Sequence, residues 1–250
     1  MIQTIWKEVV EVETHETDMN QQWRPSGLFR AIQTVGQHHA SHLGYDYRDM
    51  LLKNQSWVLA RVRVEFERFP KAGEKITIQT WPKDIQQKLF FVRDFIITDQ
   101  ADQVVARASS AFVLIDTEAR RILPPRALGS DLPRLPEKAA IPSPLEKILE
   151  VGQSSQTLVR TASYSVVDLM GHVNNAVYVD WVCDALPPSY FQDRQLAAVQ
   201  VNYNKEVRPA ESVAIQVGQA DGQMTLKGVN QATGDIAFES QVLWKENSGA

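Results

Sequence analysis

Residues 168 to 175 read DLMGHVNN and bring four polar side chains and one glycine together within eight positions. Asp168 precedes His172 by four positions, and the largely apolar stretch that follows predicts a helix beginning near Asn174 or Asn175. The start of a helix exposes unpaired N–H groups, which can hold an oxyanion as it develops during acyl transfer. A carboxylate beside that helix can act as a nucleophile or a general base, and an imidazole can orient water. The stretch therefore holds the groups that hydrolysis of an ester or a thioester requires.

A simpler interpretation of the same stretch is a polar turn that caps the helix. Gly171 permits a positive φ, and Asn174 or Asn175 supplies the cap. This interpretation accounts for the glycine and one asparagine. It does not explain why Asp168 and His172 stand together just before a helix N-terminus.

The remaining histidines are interpreted as ordinary solvated or core residues. His38 and His42 stand four residues apart in HHASH, a spacing that can bind a metal ion on a helix. The stretch lacks the glutamate of the HExxH motif, however, and no third ligand lies nearby in the sequence. His15 stands alone in a strand-like stretch, so we expect no metal site.

The composition is typical of a soluble globular protein, since 44% of the 250 residues are hydrophobic and 22% are charged. The formal net charge of −4 does not favour nucleic acid or an anionic membrane surface as a partner. No apolar stretch approaches the roughly 20 residues that span a bilayer. The one cysteine, Cys183, excludes an intrachain disulfide, and the N-terminus lacks the features of a signal or transit peptide. We therefore expect a cytoplasmic protein.

A proline-rich segment separates two similar halves of the sequence. Residues 124 to 144 contain six prolines, which remove backbone donors and fix φ, so this segment is predicted to be neither helix nor central strand. Residues 58 to 78 align without gaps on residues 195 to 215, and both stretches alternate apolar and polar side chains as half-buried strands do. The two halves are therefore predicted to be a duplication.

Each half places a helix ahead of several predicted strands. In the first half Pro25 suits an early helical position and Gly44 a C-terminal one, and in the second the helix runs from Asn174 or Asn175 to Pro187. This order indicates the α+β class, with one long helix packed on a curled antiparallel sheet in each half. The predicted domains are residues 1–123 and 156–250, with a linker over residues 124–155.

Four short motifs resemble those of a known family. DxxGHVNNAxYxxW covers residues 168–181, WVLxR residues 57–61, RFPKAGE residues 68–74 and TWP residues 80–82. The first motif also occurs in single-hotdog acyl-CoA thioesterases. Together, the four resemble the fatty acyl-acyl carrier protein thioesterases of bacteria and plant plastids over nearly the whole chain. The resemblance implies two tandem hotdog domains.

The resemblance also implies a set of catalytic residues. Asp168 and His172 match the family's aspartate and histidine, and the family's downstream acidic residue falls on Glu206. Asp168 is expected to be the nucleophile or general base, and the other two are expected to position water and Asp168. Two positions depart from the family, because its asparagine is Met170 here and the cysteine that often follows the acid in plant members is Val207.

The missing asparagine leaves a polar role to be filled, since a methionine side chain cannot hydrogen-bond the substrate or orient water. Asn174 or a backbone amide is expected to replace it. Backbone amides at the start of the second helix, near Val173 and Asn174, are expected to form the oxyanion hole.

The first half keeps an aspartate but loses the other two catalytic side chains. When Asp18 is aligned on the catalytic aspartate, Gln22 takes the histidine position, and the strand alignment puts Phe69 at the position of Glu206. We therefore expect one active site per chain and an acyl pocket built mainly by the first half. Its candidate walls are Met19, Trp23, Leu28, Phe29, Trp57 and Met170.

The function that follows is hydrolysis of fatty acyl thioesters on acyl carrier protein, a step of fatty acid biosynthesis, without a metal or bound cofactor. Three alternatives stay open: an acyl-CoA thioesterase, a hotdog protein that binds acyl chains without hydrolysing them, and a hotdog dehydratase. A homodimer formed through edge strands is also left open. An acidic carrier requires basic contacts, for which the candidates are Arg120, Arg121, Arg126, Arg134, Lys205 and Arg208.

Overall fold

The computed structural model of the chain describes residues 3–129, 132–148, 154–220 and 223–246. The chain folds into two compact units, Met1–Leu145 and Glu146–Ala250. Both combine few helices with an antiparallel sheet, so the predicted α+β class is confirmed. Of the helices within the described ranges, none is long and apolar enough to cross a membrane.

Within its described residues, the first unit contains two α-helices and six strands. In chain order they are β1 (Trp6–Glu11), α1 (Pro25–His42), α2 (Tyr47–Leu51), β2 (Gln55–Phe66), β3 (Lys75–Gln86), β4 (Phe90–Thr98), β5 (Val104–Asp116) and β6 (Arg121–Leu123). The sheet order is β1-β3-β4-β5-β2, every neighbouring pair is antiparallel, and β6 pairs with β5.

The helix α1 forms where its sequence signals predict. Pro25 occupies the first turn, where its missing N–H costs no hydrogen bond, and Gly44 follows the C-terminal end with φ of 84°. The predicted apolar face is buried at Leu28, Ile32 and Val35. This face packs toward β4, because a Cβ built on the helical Gly36 would lie 3.5 Å from atoms of both Arg93 and Phe95.

The buried His39 of α1 and the partly buried Arg93 of β4 contact each other. Arg93 can only donate, so its Nη1, 2.8 Å from His39 Nδ1, makes that nitrogen the acceptor. The other ring nitrogen, Nε2, therefore carries the proton and donates to the carbonyl of Gln3 at 2.8 Å. Burial, followed by the charge of Arg93, lowers the pKa of His39 to about 4. His39 is therefore neutral in the folded protein near neutral pH.

We expect the free energy of unfolding to fall as the pH drops from 6.5 to 4. The unfolded chain binds a proton at His39 near pH 6.5, whereas the folded chain binds it only near pH 4, so protonation favours unfolding within that window. The difference amounts to at most about 3 kcal/mol. Urea unfolding at pH 7, 5.5 and 4.5 measures it, and His39→Gln should flatten the pH dependence. His15→Gln, a change at an exposed histidine, should leave it as steep as in the wild type.

The proline-rich segment packs on the strands β3 and β4 of the first unit. Trp81 Nε1 donates to the carbonyl of Lys138 at 3.0 Å, and Lys83 Nζ donates to that of Ile141 at 2.7 Å. The N–H of Ala140 donates to Asp94 Oδ2 at 2.7 Å. Since both charged side chains are buried, this part of the segment is held by internal polar contacts as well as by its prolines.

In the part of the second unit that the structure describes, there are two α-helices and five strands. In chain order they are β7 (Ser154–Thr161), α3 (Asn175–Asp184), α4 (Tyr190–Asp193), β8 (Arg194–Tyr203), β9 (Ser212–Ala220), β10 (Gln223–Asn230) and β11 (Ile236–Glu246). The sheet order is β8-β11-β10-β9-β7, again antiparallel throughout. The apolar side chains of α3 are buried, among them Val179 and Val182.

The two units repeat one arrangement. Reading each sheet from its long first strand, β2-β5-β4-β3-β1 in the first unit corresponds to β8-β11-β10-β9-β7 in the second. In both units the edge strand at the other end precedes the main helix in the chain, and the remaining strands follow it. The gapless strand alignment therefore pairs elements with the same place in each sheet.

Candidate active site

The loop before α3 is a tight turn that sets the backbones of Asp168 and His172 opposite each other. The N–H of Asp168 donates to the carbonyl of His172 at 2.9 Å, and the N–H of Gly171 donates back to the carbonyl of Asp168 at 3.0 Å. Gly171 has φ of 78°, the conformation that its lack of a Cβ permits. Asp168 Oδ1 accepts from the N–H of Met170 at 2.9 Å. The turn therefore fixes both the backbone and the carboxylate of the aspartate.

The helix begins as the sequence predicts, with Asn174 as its cap. The side-chain oxygen of Asn174 accepts from the N–H of Ala176 at 2.9 Å. The predicted capped turn and the predicted chemical site are thus the same structure, since the cap fixes the end of the loop that carries Asp168 and His172. Because the oxygen of Asn174 is used in the cap, only its Nδ2 amide group is left to take the role of the family's asparagine.

The two amides that were expected to form the oxyanion hole already have backbone partners. The N–H of Val173 donates to the carbonyl of Val207 and the N–H of Asn174 to the carbonyl of Val166, both at 2.9 Å. Neither amide is open to an oxyanion, because each already holds a neighbouring loop in place. Among the described residues, the N–H of Asn175 at the first helical position has no recorded acceptor.

The structure brings His172 and Glu206 together. Glu206 follows β8, and its Oε2 lies 3.0 Å from His172 Nε2, with side chains 44% and 26% exposed. The described side chains of Asp168 and His172 share no recorded hydrogen bond, so the aspartate is joined to the pair through the backbone of the turn. One carboxylate and one imidazole therefore meet at an exposed surface, and the turn that carries Asp168 lies next to the imidazole in the chain.

A buried tyrosine, Tyr178, and a partly buried one, Tyr203, lie near this surface. Burial raises the pKa of Tyr178, and the charges of Glu206 and Asp168 raise it further, while a hydrogen bond with the backbone of Val207 opposes the shift. Burial also raises the pKa of Tyr203, whose hydroxyl donates to the carbonyl of Asn175 at 2.9 Å. Both phenols are therefore neutral at ordinary pH. Tyr178 belongs to the DxxGHVNNAxYxxW motif, but the motif gives no indication of its contacts.

The first unit contains the same turn without the histidine and the glutamate of the candidate site. Asp18 Oδ1 accepts from the N–H of Gln22 at 3.0 Å, and the N–H of Asp18 donates to the carbonyl of Gln22 at 2.8 Å. The N–H of Trp23 donates to the carbonyl of Pro70 at 2.7 Å, which repeats the Val173–Val207 bond. Phe69, at the glutamate position, stacks on a neighbouring phenylalanine instead. This unit keeps the loop and lacks the histidine and the acid.

The candidate pocket residues divide into buried and exposed groups. Trp23, Leu28 and Phe29 are buried and Trp57 is half-buried. In contrast, Met19 is 70% exposed and Met170 is 42% exposed, because both follow the aspartate at the tip of the turn. Both methionine side chains are therefore largely open to solvent, and their role as walls of the acyl pocket stays a prediction.

The candidate carrier-binding residues lie on the surface of both units. Lys205 and Arg208 flank Glu206 and are exposed. Arg120 and Arg121, also exposed, stand at the turn into β6 of the first unit. Arg134 pairs with Asp84 at 3.3 Å.

The described residues contain no group of three or more histidine, cysteine, aspartate or glutamate side chains placed to hold a metal ion. His38 and His42, the two histidines of HHASH with metal-binding spacing, each have another partner. His38 Nδ1 lies 3.0 Å from Glu8 Oε1, and the ring of His42 packs on Trp6 with centroids 4.9 Å apart.

Two family models match the chain. The one described as the acyl-ACP thioesterase N-terminal domain covers residues 3–124, and the one described as the C-terminal domain covers residues 149–246. An oleoyl-acyl carrier protein thioesterase of Coriandrum sativum is 26% identical over 221 residues, which is 80% of this chain and 59% of that protein. Oleoyl-acyl carrier protein thioesterase 1 of Arabidopsis thaliana is 24% identical over 88% of this chain and 67% of that protein. The chain thus spans about three fifths to two thirds of these relatives' length.

Solved structures support the same fold. An acyl-ACP thioesterase from Bacteroides thetaiotaomicron superposes with a TM-score of 0.84 at 22% identity, covering 97% of this chain and 98% of that one. The 12:0-ACP thioesterase from Umbellularia californica gives a TM-score of 0.86 at 18% identity, covering 98% of both chains.

Proposed function

This chain belongs to the acyl-ACP thioesterase family, and from that membership we propose that it hydrolyses fatty acyl thioesters on acyl carrier protein and releases the free fatty acid. The observation that carries the proposal is the 3.0 Å contact of His172 with Glu206 beside the turn that holds Asp168. Since the first unit lacks both the histidine and the acid, each chain has one such site.

In this proposal Asp168 acts on the thioester carbonyl either directly, as a nucleophile, or by taking a proton from water. His172, held by Glu206, orients the water. In both routes the C–S bond breaks, and the phosphopantetheine sulfur leaves and takes up a proton. In the nucleophilic route this leaves the acyl group as an anhydride with Asp168, which water then hydrolyses to the fatty acid and the free carboxylate. In the general-base route the oxygen of the water is added directly to the acyl group. The N–H of Asn175 supports the oxyanion, because it stands at the positive end of α3 and no described group occupies it.

We propose that each unit is a hotdog domain, with boundaries at residues 1–123 and 156–250 and a linker over residues 124–155. The shared strand order of the two units supports this arrangement. We also propose that the acyl pocket uses the buried residues Trp23, Leu28 and Phe29 of the first unit, and that the enzyme works in a cytoplasm without a metal or bound cofactor.

The carrier is identified by comparing three thioesters of one acyl group, joined to acyl carrier protein, to CoA and to N-acetylcysteamine. We expect the highest kcat/KM with the carrier protein, measured by release of free thiol. The variant Lys205→Glu/Arg208→Glu should raise KM for the acidic carrier substrate, because it reverses charge beside the site. It should leave hydrolysis of the uncharged N-acetylcysteamine thioester unchanged.

The other outcomes assign the other functions. A higher kcat/KM with acyl-CoA identifies an acyl-CoA thioesterase. Binding of an acyl thioester without any thiol release identifies a protein that binds acyl chains and does not hydrolyse them.

A further inference from the structure

The loop that carries Glu206 ends at a second glutamate, Glu211, whose carboxylate points back into the loop. One oxygen of Glu211, Oε2, accepts from the N–H of Arg208 at 2.9 Å. The same oxygen accepts from Nδ2 of Asn230 at 2.8 Å. Asn230 is the last residue of β10 and is 3% exposed, and its Oδ1 accepts from the N–H of Ala232 at 2.9 Å. The carboxylate of Glu211 therefore joins an exposed loop to a buried side chain of the sheet.

The peptide group that follows Val207 is hydrogen-bonded on both sides. Its N–H donates to Glu211, and its C=O accepts from the N–H of Val173 at 2.9 Å. Because a peptide group is planar, these two bonds fix its orientation. Val207 directly follows Glu206 and Val173 directly follows His172. The two bonds thus connect the sheet, through Glu211, to both loops whose side chains meet at 3.0 Å.

The first unit repeats this bonding pattern in its equivalent loop. The gapless strand alignment places Glu74 on Glu211. Glu74 Oε1 accepts from the N–H of Lys71 at 2.7 Å, and the carbonyl of Pro70 accepts from the N–H of Trp23, also at 2.7 Å. The pattern therefore belongs to the turn itself, and the second unit carries its histidine and its acid on that turn.

The two units differ in the side chain that holds the glutamate. Arg68 Nη2 donates to Glu74 Oε2 at 2.8 Å and to Asp99 Oδ2 at 2.8 Å, and its side chain is 41% exposed. Arg68 belongs to the same loop as the glutamate that it binds. Glu211 is bound instead by Asn230, a buried side chain at the end of a central strand. The unit with the candidate site therefore has the more rigid support for its loop.

We propose that Glu211 is a positioning residue that holds the carboxylate of Glu206 against His172. Without the carboxylate of Glu211, the peptide group after Val207 loses its link to the sheet and keeps only its bond to Val173. The side chain of Glu206 then moves relative to the imidazole. This inference rests on the proposed function, in which the His172–Glu206 pair orients the attacking water.

The test is Glu211→Ala, with Glu74→Ala as the matched control. Both substitutions remove a half-buried glutamate that binds the amide three residues before it, so both should lower the melting temperature. Only Glu211→Ala should lower kcat, by about tenfold with KM unchanged, because it acts on the orientation of the catalytic pair. The factor should be the same for acyl-ACP and for the N-acetylcysteamine thioester, since docking of the carrier is not involved. Glu74→Ala should leave kcat within about twofold of the wild type.

Two further variants examine the same role. Glu211→Gln keeps a carbonyl oxygen that can accept from both donors, so its kcat should stay within about threefold of the wild type. Asn230→Asp keeps the oxygen that binds Ala232 and replaces the donor to Glu211 by an acceptor, so it should lower kcat as Glu211→Ala does. In a Glu206→Ala background, Glu211→Ala should reduce kcat further by less than about twofold, because residues that act as a unit are not additive.

A crystal structure of Glu211→Ala gives a measurement that needs no activity. The distance from His172 Nε2 to Glu206 Oε2 should be longer than the 3.0 Å of the wild type. An unchanged distance overturns the proposal, as does an equal loss of kcat in Glu74→Ala or a tenfold loss that persists in full in the Glu206→Ala background. If Glu211→Ala does not fold, Asn230→Asp decides by the same measurements. If the wild-type chain releases no thiol, the proposed function fails, and the distance still decides whether Glu211 positions Glu206.

Discussion

Asp168→Asn is expected to lower kcat for acyl-ACP hydrolysis by about 10²- to 10⁴-fold, the range for loss of a positioned acid–base group. An amide is neither a nucleophile nor a base in this role. It can still accept from the N–H of Met170 through its oxygen, as the carboxylate does at 2.9 Å, so the turn is preserved. The loss should therefore appear in kcat, measured by free-thiol release, while the melting temperature stays close to that of the wild type.

The first unit supplies a matched control for this substitution. Asp18 makes the same kind of turn, with Oδ1 accepting from the N–H groups of Asn20 and Gln22 at 2.8 and 3.0 Å. Asp18→Asn repeats the chemical change in an equivalent loop that lacks the histidine and the acid. It should leave kcat within about twofold of the wild type, as is usual for surface changes away from a site. A kcat of Asp168→Asn close to that of the wild type would show that the aspartate takes no part in the mechanism.

Much of the catalytic loop could be predicted from the sequence because its signals are local. The turn needs a positive φ at Gly171, which glycine adopts readily, and Asn174 caps a helix that starts one residue later. Duplication extended the prediction, since the alignment of Asp18 with Asp168 superimposes turns with the same backbone bonds. Local patterns of this kind are strongest where one residue type satisfies one backbone requirement.

The occupied amides and the exposed methionines could not be predicted in this way. The N–H of Val173 is taken by Val207, a residue of another loop, and nothing in the sequence near Val173 specifies that partner. The exposure of Met170 depends on the path of the turn, whereas the sequence offers only its apolar side chain. Contacts between segments far apart in the chain decide both, and single-sequence patterns do not contain them.

One missed feature did leave a signal in the sequence. The strand FFVRDFIIT places Arg93 and Asp94 side by side within an otherwise apolar stretch. Charged residues flanked by apolar ones in a strand that is covered on both faces must each find a buried partner. Arg93 meets His39 on the helix side, and Asp94 meets Lys83 beneath the proline-rich segment.

Asp94→Ala is expected to destabilise the first unit by about 3–5 kcal/mol, the range for breaking one side of a buried ion pair. The carboxylate is fully buried, lies 3.3 Å from Lys83 Nζ, and accepts from Ser109 Oγ and the N–H of Ala140, both at 2.7 Å. Its removal leaves a buried cation and two donors without their acceptor. The melting temperature and the urea midpoint should both fall.

Two further variants separate the cost of an unpaired charge from the value of the pair. The double change Lys83→Met/Asp94→Leu removes both charges, so it should destabilise less than Asp94→Ala alone, because no buried cation remains. The exposed pair of Asp84 with Arg134, also 3.3 Å apart, gives the surface control, and Asp84→Ala should cost less than about 1 kcal/mol. The buried pair of Lys83 and Asp94 also hydrogen-bonds the backbone of Ala140 and Ile141, so Asp94→Ala should open the proline-rich segment around them to proteolysis. Equal losses of stability in Asp94→Ala and Asp84→Ala would show that the buried pair does not hold the segment.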